Sequence, residues 1–487
     1  MKLNRLKVLT KEEIIMIHNS TIALMEDVGV KVDSEEACRL LKDNGAEIDS
    51  KKNLVKFPEY LIKDQLKKVP NSFSLYGPDD QFRIDINTEN IHFATQGAPT
   101  KIYDNTNPLQ TRDARLSDFI KFLKITDSLE YISCSHLDVW PVDIPYSTLH
   151  CHAIKEWVKN SRKPFGIGCR GKIMSKDLMY LLSIIVNGKD KLIKKPRLLG
   201  FFNPISPLTL PRVLLGGLFI FAQYKQPLII ASSASGGLNA PITLAGLLTQ
   251  TNAEVLSSIV LTQLINSGAP VLYGTVNTPI DPRTGNVAWG SIETSLITIA
   301  SAQLARFYKI PSRASGSITN SIGFDIQNGF ERFNTLSAAA YAGINYITCA
   351  GTYECGLASS LELLVIDDEL IGMVSRGLNG IKVDPNTMAL NEIKSVASDQ
   401  KKGLYFLGLR HTAKNIKKEL YIPKLSERGS RNTWIKKGSL DFITKSQIRI
   451  EELLKNHKPK VLKPNLEKEI DSYIKKVEER NINEYIN

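Results

Sequence analysis

From residue 91 to residue 377 short apolar or β-branched runs alternate with longer stretches of helical spacing, eight times over. The runs are IHFATQ (91–96), ISCSHLDVW (132–140), PFGIGC (164–169), RLLGFFN (197–203), PLIIASSA (227–234), PVLYGTV (270–276), PSRASGS (311–317) and INYITCA (344–350). Helical segments are predicted near 116–128, 147–159, 174–187, 211–224, 243–267, 290–308, 326–342 and 357–377. Strict alternation of strand and helix calls for a parallel sheet with the helices outside it. Eight units over about 290 residues match a (β/α)8, or TIM, barrel. An open doubly wound sheet is the competing architecture. Its usual glycine fingerprint, GxGxxG after the first strand, is missing from FATQGAPTKIYD.

Two flanking regions complete the expected organisation. Residues 1–90 read as mainly helical: KEEIIMIHNSTIALMEDVG stops at Gly29, DSEEACRLLKDNGAEID opens on an Asp33 or Ser34 cap, and FPEYLIKDQLKKV begins with Pro58. Residues 378–487 form a Lys-rich helical extension. Its amphipathic stretches SQIRIEELLKNH and NLEKEIDSYIKKVEER are suited to packing on the barrel or on a sister subunit.

Composition narrows the function classes. The net charge is +12, yet lysine is spread along the chain with no basic block and no interleaved aromatic residues. A nucleic-acid footprint is a clustered stripe, so a solvated basic surface is the expectation, and no nucleic-acid partner. Six cysteines, at 38, 134, 151, 169, 349 and 355, form no CxxC pair, which points to a reducing compartment. The N-terminus MKLNRLKVLTKEEI lacks a signal-peptide core, and apolar windows such as PLIIASSASGG are too short to span a bilayer. The expected setting is soluble and cytoplasmic.

A barrel places its chemistry at the C-terminal ends of the strands. The loops there are long and rich in Gly, Asn, Ser and Thr: TQGAPTKIYD, NPISPLTL, SSASGGLNAPIT, YGTVNTPIDPRTG, GSITNSIGFDIQNGFER and TCAGTYECG. Those at the other face, YKQ and NSGA, are short. Candidate substrate-binding residues at this mouth are Gln96, Phe202, Asn203, Tyr273, Asp325, Gln327, Thr348, Tyr353 and Glu354. Neighbouring strand residues face opposite ways, so at most one of Phe201 and Phe202 enters the barrel. Asp325 is also placed to cap the following helix, Tyr273 to fill the core, and Tyr353 and Glu354 to form a surface turn. Aromatic faces beside a carboxylate would attract a quaternary ammonium ion. No metal site is expected: His150, Cys151 and His152 are adjacent on a helix and do not converge, and HExxH is absent. GxSxG, Walker and kinase motifs are also absent.

Taken in order, several stretches resemble the trimethylamine methyltransferase family and its non-pyrrolysine branch, which handles quaternary amines such as glycine betaine. They are ALMEDVGVKVDSEEACRLLKDNGAEID, LYGPD, NPISPLTL, NAPITLAGLL, NAEVLSSIVLTQLINSGAPVLYGTV, DPRTG, DIQNGFE, ECGLASSLELLVIDDELIGMV and LSERGSRNTWIKKGS. The resemblance implies a TIM barrel that transfers a methyl group from a methylated amine to cob(I)alamin. The corrinoid is carried by a separate protein docking over the mouth, with no tightly bound cofactor of the barrel's own. It also implies a small methylated amine as substrate; a homo-oligomer is a separate expectation, in keeping with the amphipathic C-terminal stretches that can pack on a sister subunit. Where trimethylamine-using members carry pyrrolysine, this sequence has SITNSIGFD, the position falling near Ile322, with standard residues throughout. That favours the quaternary-amine branch. Thr348-Cys349 replaces a His-Asp-like pair of that branch, and Thr352 an aromatic residue, so the substrate tail is expected to differ from that of glycine betaine. The competing reading is a barrel that binds a methylamine or the corrinoid protein without turnover.

Overall fold

The computed structural model describes residues 5–49, 51–95, 97, 99–107, 109–398, 405–460 and 462–481. Eight parallel strands close into a barrel. They are β1 (His92–Thr95), β2 (Ile132–His136), β3 (Phe165–Gly168), β4 (Leu198–Phe202), β5 (Leu228–Ser232), β6 (Val271–Thr275), β7 (Ser312–Ser315) and β8 (Tyr346–Ala350). Closure joins β8 to β1, with Tyr346 opposite His92 and an irregularity in register between Ile347 and Ala350. Each strand is followed by a helix: α1 (Leu116–Ser128), α2 (Tyr146–Asn160), α3 (Lys172–Ile185), α4 (Arg212–Gln223), α5 (Leu244–Ile265), α6 (Ile292–Phe307), α7 (Ile326–Ala342) and α8 (Leu361–Leu378). All eight predicted units are present, in order.

Strand alternation divides the core in two. Leu198, Phe202, Leu228, Ile230, Val271 and Tyr273 face the helices. Leu199, Ile229, Ala231, Leu272 and Tyr346 face the barrel axis. The three helices expected before residue 90 form at Lys11–Asp27, Glu35–Asp43 and Glu59–Leu66, accompanied by five short strands. Two of these strands, Ser72–Tyr76 and Arg83–Asn87, pair antiparallel. Leu75, Ile84 and Ile86 of this hairpin pack on the inward residues, and Tyr76 N–H donates to the Pro196 carbonyl just before β4. The hairpin therefore closes the N-terminal end and leaves the opposite end open.

Helix α5 is long and apolar enough to cross a bilayer, but 72% of its apolar window is buried inside this fold. It lies between the barrel and the helices Lys11–Asp27 and Glu59–Leu66, so it is apolar on every side because it has neighbours on every side.

The expected C-terminal amphipathic helices form at Phe442–Asn456 and Pro464–Glu478. The second is fastened to α2 and α3 through Asp177. Its carboxylate accepts from His150 Nε2 at 2.9 Å, Tyr473 Oη at 2.7 Å and Arg480 Nη1 at 2.8 Å. Burial opposes ionisation of Asp177, but these donors outweigh it and hold the group at about 2. His150, Cys151 and Asp177 do converge, yet the Arg480 guanidinium already neutralises the carboxylate. A folded value below the ordinary 3.8 contributes about 2 kcal/mol above pH ~4, lost as the pH falls toward 2. Hydrogen exchange in Pro464–Glu478 should accelerate over that window. In Asp177→Asn the helix should already be loosened at pH 7 and this pH dependence absent.

Candidate active site

The open end holds a cavity of two lobes that share Gly97, Phe201 and Asn203. One lobe, about 320 Å³, lies over β2, β3 and β4 and is walled by His136, Tyr146, Arg170 and Leu214. The other, about 230 Å³, lies over β5 to β8 and is walled by Val276, Trp289, Arg313, Cys349 and Thr352.

Polar groups behind the walls hold the loops in place. Glu254 of α5 is fully buried. It accepts from Ser206 Oγ at 2.8 Å and Leu208 N–H at 3.0 Å in the loop after β4, and from Ser232 Oγ at the end of β5. The loop after β7, GSITNSIGFDIQNGFER, is braced in the same way. Glu331 of α7 accepts from Thr319 Oγ1 at 2.6 Å, Asn320 N–H at 2.8 Å and Gln327 Nε2 at 3.0 Å. Asn320 then reaches the loop after β6, accepting from Gly290 N–H at 2.8 Å and donating to the Val287 carbonyl at 2.7 Å. A Cβ on Gly290 would stand 2.2 Å from the Glu331 carboxylate, so only glycine fits beside Trp289. Much of this loop's polarity serves to fix the rim.

Beneath the cavity Arg313 is almost completely buried. It donates to the Thr275 carbonyl at 2.8 Å and to Thr348 Oγ1, and its guanidinium stands 5.1 Å from the Phe201 ring centre. His136 Nε2 meets Tyr346 Oη at 2.8 Å. Burial, reinforced by Arg313, pulls this imidazole down to about 3, so it is neutral at physiological pH. Burial pushes the nearby Asp138 carboxyl up to about 8 against the Thr95 hydroxyl and the His136 N–H. These environments suppress charge on both groups and leave the guanidiniums as the dominant field.

The residues expected from sequence are distributed unevenly. Asn203 lines both lobes and donates through Nδ2 to the Ala231 carbonyl at 2.7 Å. Thr348 lies under the cavity as the Arg313 partner. Gln96 lies outside the described residues. Phe202 is a correction: it is fully buried between strands and helices, and its neighbour Phe201 faces the cavity. Tyr273 is a second correction. It points outward, donating to Asn252 Oδ1 of α5 at 2.9 Å and stacking on Tyr308, because Leu272 and Gly274 take the inward positions of β6. Asp325 caps α7, accepting from Asn328 N–H at 2.8 Å, and Gln327 braces Glu331. Tyr353 is buried against Phe324, and half-buried Glu354 donates its N–H to the Ser321 carbonyl. Neither lines the cavity. Asp325→Ala should therefore cost about 1 kcal/mol of stability and leave ligand affinity unchanged, as read by urea unfolding and calorimetry.

Trp289, Arg170, Trp140 and Tyr146 emerge only in three dimensions, as does the choice of Phe201 over Phe202. Arg170, just after β3, lies with Cζ 3.9 Å from the centre of the Trp140 ring. Trp140 stacks on Tyr146 at 5.5 Å. The signal available in the sequence was the pairing of DVWPVDIPY with GCRGK at the ends of successive strands.

Comparison with known proteins agrees with the resemblance. The model of the trimethylamine methyltransferase (MTTB) family matches residues 1–481. A glycine betaine methyltransferase of Desulfitobacterium hafniense (strain Y51) is 33% identical over 475 residues, covering 97% of each chain. The trimethylamine methyltransferase MttB of Methanosarcina barkeri (strain Fusaro / DSM 804) is 32% identical over 484 residues, covering 97% of this chain and 95% of its own. MttB of D. hafniense (strain DSM 10664 / DCB-2) is 29% identical over 468 residues, covering 96% of this chain and 93% of its own. The chain belongs to the trimethylamine methyltransferase family.

Proposed function

We propose that this protein moves a methyl group from a quaternary methylated amine to cob(I)alamin carried by a separate corrinoid protein. The observation that carries the reading is a cavity with aromatic walls, opening onto a rim of exposed apolar side chains. Leu109, Val142, Ile205, Leu238, Ile322 and Leu357 stand in the loops after β1, β2, β4, β5, β7 and β8, with Leu109 94% exposed. Apolar surface encircling a cavity is the mark of a surface that receives a partner. The names of the relatives, a glycine betaine and several trimethylamine methyltransferases, support the substrate class. Standard residues at 317–325 support a quaternary over a tertiary amine.

The corrinoid supplies the nucleophile. The N–CH3 bond breaks with its electron pair remaining on nitrogen, so the amine leaves neutral and no proton has to move. A neutral His136 and the absence of a carboxylate from the described cavity walls suit a site without acid–base work. The barrel residues bind the cation against Phe201 and Trp289, exclude water, and hold one methyl toward the mouth, where orientation contributes several kcal/mol. The basic chain, at +12, suits an acidic corrinoid protein whose encounter is steered by charge. Exposed Ile381, Val383, Leu407, Leu420 and Ile422 on the extension support a homo-oligomer, and six free thiols support a cytoplasmic setting. The test is product stoichiometry: one demethylated amine per methylated corrinoid, with trimethylamine inert. Trimethylamine as the preferred donor would overturn the assignment to quaternary amines.

A further inference from the structure

Helix α7, IQNGFERFNTLSAAAYA, carries two charged residues, and both are buried. Glu331 braces the loop after β7, and Arg332 pairs with Asp367. The side turned to solvent has no charge. It shows Ile326, Phe330 and Phe333 at the i, i+4, i+7 spacing of one helix face, with Ile326 87% and Phe330 60% exposed. Neighbouring α6, packed along it, shows Ile292 and Leu296 in the same way. No charged residue stands between Glu293 and Arg306.

This face runs down the flank of the barrel from the mouth, where both helices begin, to the closed end. There exposed Phe307 of α6 is joined by Leu6 and Val8. Leu6 N–H donates to the Tyr341 carbonyl of α7, and Val8 N–H to Gln303 Oε1 of α6. Gly329 lies among the exposed residues of α7. A Cβ there would meet nothing within 4 Å, so nothing inside this chain requires a glycine that weakens the helix. It leaves a hollow beside Phe330 that a side chain from outside can enter.

A surface that is apolar, aromatic and uncharged has the composition of a homodimer interface core. The chain's charge indicates which partner fits. At +12, two copies repel wherever their lysine-bearing surfaces meet, and an acidic partner is drawn to those same surfaces. An uncharged face is where like can meet like. The exposed apolar residues of the extension stand among Lys382, Lys394, Lys414, Lys417 and Lys418 and lack that property. Two helices side by side offer about 25 Å by about 20 Å, so a pair of copies hides about 1,000 Å², the size at which specific interfaces begin. Leu6, Val8 and Phe307 extend it.

We propose that α6 and α7 form the contact between two copies of this protein, packed face to face about a two-fold axis; this rests on the homo-oligomer reading above and gives it a surface. Each face then meets itself, with Phe330 of one copy seated toward the hollow at Gly329 of the other. The cavity stays open, because the face lies on the flank of the barrel.

Sedimentation velocity over a concentration series tests this on the full chain, unmodified and as Phe330→Asp and Gly329→Glu. Both positions are exposed, and glutamate forms helix better than glycine, so circular dichroism should report an unchanged fold. The unmodified protein should sediment as a dimer or a multiple of one. Each variant should fall to half that mass, its dissociation constant raised at least ~30-fold, as for an aromatic anchor at the centre of an interface. Variants that keep the full mass overturn the face and leave the homo-oligomer standing. A monomeric unmodified protein overturns both. Weaker binding of the corrinoid protein by Phe330→Asp would then identify that protein as the occupant.

Discussion

Arg332→Met should lower the stability of the barrel by about 3–5 kcal/mol, as much as truncating a large core side chain. Arg332 of α7 and Asp367 of α8 form a pair that is 1% and 0% exposed. Arg332 Nε donates to Asp367 Oδ1 at 3.1 Å, Nη1 donates to the Thr352 carbonyl, and Asp367 Oδ2 accepts the Gly351 N–H at 2.7 Å. The pair thus ties two outer helices to the loop after β8, which forms one cavity wall. Burial already pushes the Asp367 carboxyl upward against the pull of Arg332. Removing the guanidinium leaves a carboxylate that neither water nor another cation relieves. Urea unfolding monitored by circular dichroism measures the loss. A cost below about 1 kcal/mol would show that the pair is not the tie it looks to be. Replacing both partners with apolar residues should recover much of the stability.

Phe201→Ala and Phe202→Ala should separate binding from stability. Phe202, fully buried between strands and helices, should cost about 3–5 kcal/mol of stability on truncation, with KM unchanged in the protein that folds. Phe201 is half-buried and lines both lobes. Its truncation should cost less stability and raise KM for the amine about 10–100-fold, the range expected for an aromatic face on a desolvated cation. A rise in KM with Phe202→Ala and none with Phe201→Ala would reverse the inward and outward assignment of β4.

The architecture was legible because barrel strands and their covering helices repeat one contrast of length and pattern eight times. What escaped was which way each strand faces. LLGFF and VLYGT are buried on both sides, so no polar residue marks the outward face. The choice of Phe202 over Phe201 and the placement of Tyr273 had no local signal to settle them. The hairpin at 72–87 was missed because its short strands obtain their partner, the barrel floor, only in three dimensions. The same holds for Arg170, whose stacking partner Trp140 comes from the preceding unit. Asp325 shows the opposite case: its capping role follows from its position just before α7, whereas the bracing of the same loop by Glu331 needed the fold.

The most direct measurement is the visible spectrum of a corrinoid protein reduced to Co(I) and mixed with this protein and a panel of quaternary amines, with trimethylamine as control. The account predicts conversion to the methylated corrinoid with at least one quaternary amine and none with trimethylamine. Tight binding of a quaternary amine by calorimetry with no spectral change in any mixture would contradict it, and would identify a barrel that binds its ligand without transferring the methyl group.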